Sequence, residues 1–133
     1  MINLVAALKS EARPLIEHFA LSAIETESFP RLFEGSGLSL AIGGIGKAAA
    51  AEAVRGLAAK DGGREVQAWI NLGLAGHRSH ELGLPFLAHT VVDVRSGKEW
   101  CPSPVTHVGL DTATVRTVDE PETEYPEDAL YDM

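Results

Sequence analysis

The segment from Leu38 to Lys60 reads LSLAIGGIGKAAAAEAVRGLAAK, and no other stretch constrains the fold as tightly. A short apolar run over 38–43 ends in glycines. Residues 47–60 follow with strong helix propensity, interrupted only at Gly56. Asp61-Gly62-Gly63 then supplies a helix stop. A strand delivered through a glycine turn into a helix is the building unit of α/β proteins. The flanking text has the same character. Residues 2–8, INLVAAL, read as a buried strand. Ser10 reads as the N-cap of a short amphipathic helix over about 11–20, with Glu11 in its first turn, Pro14 early enough to be tolerated, and Leu15, Ile16 and Phe19 at helical spacing. Gly35-Ser36-Gly37, between two alternating runs, reads as a hairpin turn. Further strands are expected over 66–72, 86–94 and 112–119, a loop over 95–104, and a solvated acidic loop over 119–128 before the apolar ALYDM. The expectation is a single α/β domain over 1–133, with a mixed central sheet flanked by helices.

Composition narrows the function classes. The formal charge of −8 disfavours nucleic acid and anionic membrane surfaces, both of which select basic patches. No apolar run approaches the roughly 20 residues that span a bilayer. The N-terminal MINLV lacks the basic region and cleavage site of a signal peptide. With one cysteine, Cys101, no internal disulfide forms, and a reducing, cytoplasmic setting fits.

The glycines of AIGGIGKAAA invite two phosphate-loop readings. The P-loop pattern fails, because Ala41 stands where its first glycine belongs and Ala48 offers no hydroxyl to a magnesium ion. The dinucleotide pattern matches as Gly44-x-Gly46-x-x-Ala49, yet the next strand ends in Asn71-Leu72-Gly73 and brings no acid for a ribose. No cofactor is expected. What remains is a tight turn that lets strand and helix pack closely, with open N–H groups at the helix start.

Individual residues are weighed the same way. Glu11 alone reads as an acid complementing the helix dipole. His77 and His80 are spaced to meet on one turn, but without a convergent third ligand they make a poor zinc site, and no metal is expected. Ser79 and Cys101 lack an evident base to activate them. Cys101 reads as a half-buried loop residue and Trp69 as core packing. Asp132 either contacts a ligand or finishes a strand.

Four segments in order resemble the nucleoside phosphorylase and nucleosidase superfamily, in particular its methylthioadenosine/S-adenosylhomocysteine nucleosidase branch. They are AALKSEARPL, AIGGIGKAAAAEA, INLGLAGHRSHELGLPFLAHTVVDV and the terminal LYDM. The resemblance implies a phosphorylase-like fold, a nucleoside as ligand, cleavage of an N-ribosyl bond, and a homodimer. By motif position Glu11 matches the carboxylate that orients the attacking water. Ala75 and Gly76 match the segment lining the nucleoside site, and Met133 matches a methionine packed against the ribose, with Asp132 beside it. The ribose-binding glutamate expected directly after Met133, and the catalytic aspartate beyond it, have no counterpart here. The resemblance therefore implies a domain lacking its C-terminal part and inactive as given. Leu74 replaces a small polar residue of the Asn-x-Gly-x-Ala-Gly loop. His89 stands where an aspartate is usual in a turn. The phosphorylases' Gly-Asp-Pro-x-Arg phosphate segment is replaced by Lys9-Ser10-Glu11-Ala12-Arg13, whose glutamate disfavours bound phosphate and suits water. Phosphorolysis, a non-catalytic ligand-binding or interaction domain on the same scaffold, and a dinucleotide module are the alternatives.

Overall fold

The computed structural model describes residues 1–27, 29–102 and 109–133. The end of the loop expected over 95–104 falls outside them. The chain divides into two compact units, Met1–Gly73 and Leu74–Met133. The mixed α/β character expected from the sequence holds, with the strands hydrogen-bonded as two sheets.

In the first unit, β1 (Ile2–Ala6), α1 (Lys9–His18), β2 (Ser22–Ile24), β3 (Arg31–Gly35), β4 (Leu38–Ile42), α2 (Lys47–Asp61) and β5 (Ala68–Asn71) follow in order. The sheet order is β2-β3-β4-β1-β5. β1 pairs in parallel with β4 and β5, and β3 and β4 form an antiparallel hairpin. The hairpin loop is Ser36-Gly37, both at positive φ, matching the strand twist as expected.

Alternation along the strands sorts the core into two layers. Leu4, Ala6, Leu40 and Ile42 pack with Ala12 of α1. Val5 and Ala41 point the other way and pack with Ala53 and Leu57 of α2. Leu40 and Leu57 are fully buried, which contributes roughly 1.5–3 kcal/mol each. At the opposite end of the sheet the buried Asn3 donates from Nδ2 to Asp61 Oδ2 at 2.7 Å, and Lys60 Nζ reaches Ser39 Oγ at 3.0 Å and Glu34 at 2.7 Å. An acid at a helix C-terminus is unfavourable. Here Asn3 and Lys60 offset it.

Three local expectations are corrected. α1 begins at Lys9, so Ser10 lies inside the helix. Glu11 instead reaches back to the residues just before the helix, its Oε2 accepting from the N–H groups of Ala7 (3.1 Å) and the N-cap residue Leu8 (2.8 Å). The strand read as buried over 66–72 is an edge strand, with Trp69 and Ile70 42% and 37% exposed. α2 lies mainly over β1 and β4 and leaves β5 partly exposed, which an apolar pattern cannot foretell. Cys101 is exposed rather than half-buried.

The second unit has β6 (Phe86–Asp93), β7 (Glu99–Trp100), β8 (Asp111–Thr117) and β9 (Leu130–Asp132), in the order β7-β6-β8-β9. β6, β8 and β9 run parallel, and β7 is antiparallel to β6. His89 is not in a turn. It sits in β6 where the register slips between Ala88 and Thr90. Val118, Ala129 and Tyr131 form a small core against which Tyr125 and Met133 pack half-buried. Segment 119–128 is a loop, as its composition suggested. No helix among the described residues is long and apolar enough to cross a membrane.

Candidate functional site

The first unit brings Glu11 to the C-terminal edge of its parallel strands. β1 is the central strand, with β4 and β5 on either side and helices on opposite faces. In open α/β sheets ligands enter the crevice outside such strand ends, where the strand order reverses. Three connections meet there. Gly43 and Gly44 donate to the carbonyls of Ala6 and Ala7, both at 3.0 Å, and Leu72 donates to Val5 O at 2.9 Å. Glu11 stands over the end of β1. Its Oε2 caps the helix, and its Oε1 lies 3.5 Å from where a Cβ would sit on Gly73. A side chain at Gly73 would start in ordinary van der Waals contact with the carboxylate. Glu11 is half-buried, so its charge is positioned but reachable.

In the glycine stretch that dominates the sequence, Gly43 is a packing residue. A Cβ on Gly43 would fall 2.8 Å from Ala49 O and 2.8 Å from Ala53 Cβ. Gly44 and Gly46 hold φ of 97° and 98°, a region that favours glycine, and Gly46 is the N-cap residue of α2. Separately, an open apolar groove of about 380 Å³ runs between α2 and β5, lined by Val54, Trp69, Ile70 and Asn71 among others. It contains no acid or base.

In the second unit Gly76, Asp132 and Met133 come together around β9, while Ala75 is exposed. Gly76 donates to Tyr131 O at 2.8 Å and accepts from Tyr131 N at 2.9 Å, so both of its backbone groups are engaged. Its missing side chain makes room for Tyr125, whose hydroxyl would be 2.2 Å from a Cβ there. Sequence reasoning missed Tyr125. It lies in a loop chosen only for its acidity, and no spacing signals that its ring meets Gly76.

Asp132 ends β9, in register with Thr117. Its Oδ1 is buried without a hydrogen-bond partner among the described residues. Burial pushes its carboxyl above the ordinary 3.8, and hydrogen bonding from Thr117 opposes that rise. The folded state therefore holds this proton more tightly than the unfolded chain. Stability falls as pH rises from the ordinary value through the raised one. Asp132→Asn is expected to melt above the parent at pH 7, and the gap is expected to close below about pH 3. Thermal melts across this range check it.

His77 and His80 do meet, in a turn rather than a helix, with rings stacked at 3.9 Å. Asp128 supplies the third group that the sequence did not reveal, and ligand atoms of the three lie within 4.8 Å of one another. The hydrogen bonding does not suit a metal. His77 Nδ1 accepts from the backbone N–H groups of Ser79 (3.0 Å) and His80 (3.1 Å), so the proton belongs on Nε2, which donates to Asp128 Oδ1 at 3.2 Å. A metal-bound histidine presents one bare nitrogen and donates from the other. Here the nitrogen facing Asp128 is protonated and the other faces donors. The cluster instead fastens the acidic loop to the Gly76 segment, aided by Arg78 Nη1 donating to Pro126 O at 3.3 Å.

No family model matches the sequence, and no curated protein does. Solved structures do. The chain is similar to a futalosine hydrolase mutant of Helicobacter pylori, with TM-score 0.76 and 16% identity over 99% of this chain and 78% of that one. It is similar to the 5′-methylthioadenosine nucleosidase of Arabidopsis thaliana in apo form, with TM-score 0.79 and 19% identity over 99% and 71%. It is also similar to the S-adenosylhomocysteine nucleosidase of Streptococcus pyogenes in complex with 5-methylthiotubericidin, with TM-score 0.75 and 18% identity over 99% and 72%. At such identities the likeness establishes a shared fold, that of nucleosidases of the phosphorylase-like α/β type.

Proposed function

We propose that this chain belongs to an N-ribosyl hydrolase acting on purine nucleoside-type substrates. The observation that carries the reading is the carboxylate of Glu11, held by the N–H groups of Ala7 and Leu8 at the parallel-strand edge, on a fold shared with nucleosidases. In hydrolysis a water oxygen bonds to the anomeric carbon and the carbon–nitrogen bond breaks. Its electron pair leaves with the base, which takes up a proton. Glu11 accepts the water's proton in this scheme. The sequence resemblance assigns Gly76, Asp132 and Met133 to nucleoside binding. Purine preference, a cytoplasmic setting and a homodimer are parts of the same reading. They rest on the sequence resemblance and, for the setting, on the single cysteine.

Hydrolysis is preferred to phosphorolysis because a glutamate at position 11 repels phosphate where a water is welcome. A non-catalytic ligand-binding role is the second reading, and one observation favours it. The single N–H of Gly76 is spent on Tyr131 O, so it is not left to donate to a substrate. Residues 1–133 are expected to bind a nucleoside without turning it over. A nucleoside panel separates these readings, scored by calorimetry for binding and by free base for turnover, with and without phosphate. The hydrolase reading expects base release independent of phosphate once the chain is extended past Met133 by the glutamate and aspartate segments of the resemblance. Phosphate-dependent release would replace it with phosphorolysis, and binding without release by the extended protein with the non-catalytic role.

A further inference from the structure

Glycine loses more conformational freedom on folding than any other residue, and it answers either a positive φ or a close approach by another group. Nine of the thirteen glycines hold a positive φ. Three of the remaining four have close neighbours. A Cβ would strike Ala49 and Ala53 from Gly43, Pro30 from Gly56, and Tyr125 from Gly76. Gly73 has neither reason. Its φ is not positive, and among the described residues, chain neighbours aside, the one heavy atom within 4 Å of its Cβ position is Glu11 Oε1 at 3.5 Å. That is ordinary contact distance, so packing does not forbid a methyl group there.

The pairing of β1 with β5 sets this juxtaposition. Val5 and Asn71 are register partners, and Leu72 donates to Val5 O at 2.9 Å, which carries Gly73 past the end of β1. Glu11 is held at the same strand end by the N–H groups of Ala7 and Leu8. Gly73 is itself exposed, and the room of one methyl group stands open against the carboxylate. A methyl group and a water molecule fill similar volumes. A water in that room lies within a small shift of hydrogen-bond distance from Oε1.

We infer that Gly73 is a positioning residue for the hydrolytic water: its missing side chain leaves the place beside Glu11 Oε1 from which water attacks the anomeric carbon. This rests on the hydrolase reading above, in which Glu11 takes the water's proton. Alanine at position 73 takes that place and displaces the water, while the backbone and the core stay as they are.

Crystal structures of the 133-residue chain and of Gly73→Ala give the first test. A water within hydrogen-bond distance of Glu11 Oε1, on the side of Gly73, is expected in the parent and not in the variant. In thermal melts Gly73→Ala is expected at or above the parent, because alanine restricts the unfolded chain at a φ it can adopt. In the protein extended past Met133, Gly73→Ala is expected to lower kcat for base release from 5′-methylthioadenosine by about 10²-fold, as misplacing a reacting group does, with KM unchanged. A lower melting temperature for Gly73→Ala would make the glycine structural and overturn the inference. So would the same water in both structures or in neither, or an unchanged kcat. If the extended parent releases no base, the hydrolase reading fails and the inference falls with it.

Discussion

Glu11→Gln is expected to lower base release by about 10²- to 10⁴-fold, the range typical of losing a general base. This substitution is informative because the proposed role of Glu11 as a base is separable from its role as a cap. Oε2 caps α1 through the N–H groups of Ala7 and Leu8. Glutamine keeps a carbonyl oxygen for that purpose and loses only the charge near the helix start, at a cost of about 0.3–1 kcal/mol. Alanine loses the cap as well, at about 0.5–2 kcal/mol. Turnover should therefore collapse in Glu11→Gln while the melting temperature moves little, and Glu11→Ala should lose both. The assay is release of free base from 5′-methylthioadenosine by the protein extended past Met133, beside thermal melts of the same samples. Turnover by Glu11→Gln at the parent rate would remove Glu11 from the mechanism.

Gly43→Ala is expected to destabilise the chain by about 1–3 kcal/mol, as overpacking does. The added methyl would meet a backbone carbonyl, Ala49 O, and Ala53 Cβ, both at 2.8 Å. Neither is the far end of a flexible side chain, so α2 itself must shift, and with it the contacts of Leu57 and Ala53 against Val5 and Ala41. Ala53→Gly in the same chain removes one of the two clashes and is expected to restore only part of the loss. Urea midpoints at constant slope measure this. An unchanged midpoint for Gly43→Ala would mean that the close approach of helix and strand is not what the glycine serves.

Much of the first unit was legible because local signals agreed. Apolar runs marked β1 and β4, the Ser36-Gly37 turn joined the hairpin, and the alanine run ended at Gly62, whose φ of 58° is the left-handed stop expected of a helix end. Failures came where local signals were short or competed. β2 and β7 have three and two residues, too few for a period to show. Ser10 looked like the cap, but Glu11, the third residue of α1, reaches back to Ala7 and Leu8, and the helix begins at Lys9. His77 and His80 gave no reason to look 51 residues ahead to Asp128.

The sequence by itself determined the order and kind of the principal elements, because these depend on backbone preference and on residues a few positions apart. The four-segment resemblance also lay in the sequence, and the shared fold bears it out. Only the tertiary structure decided which strand residues stay partly exposed, as at Trp69. It also decided which oxygen of Glu11 caps and which faces Gly73, which tautomer of His77 the backbone selects, and why position 76 is glycine. Each depends on which distant side chain arrives first at a shared space or lone pair, and the register of strands far apart in the chain settles that.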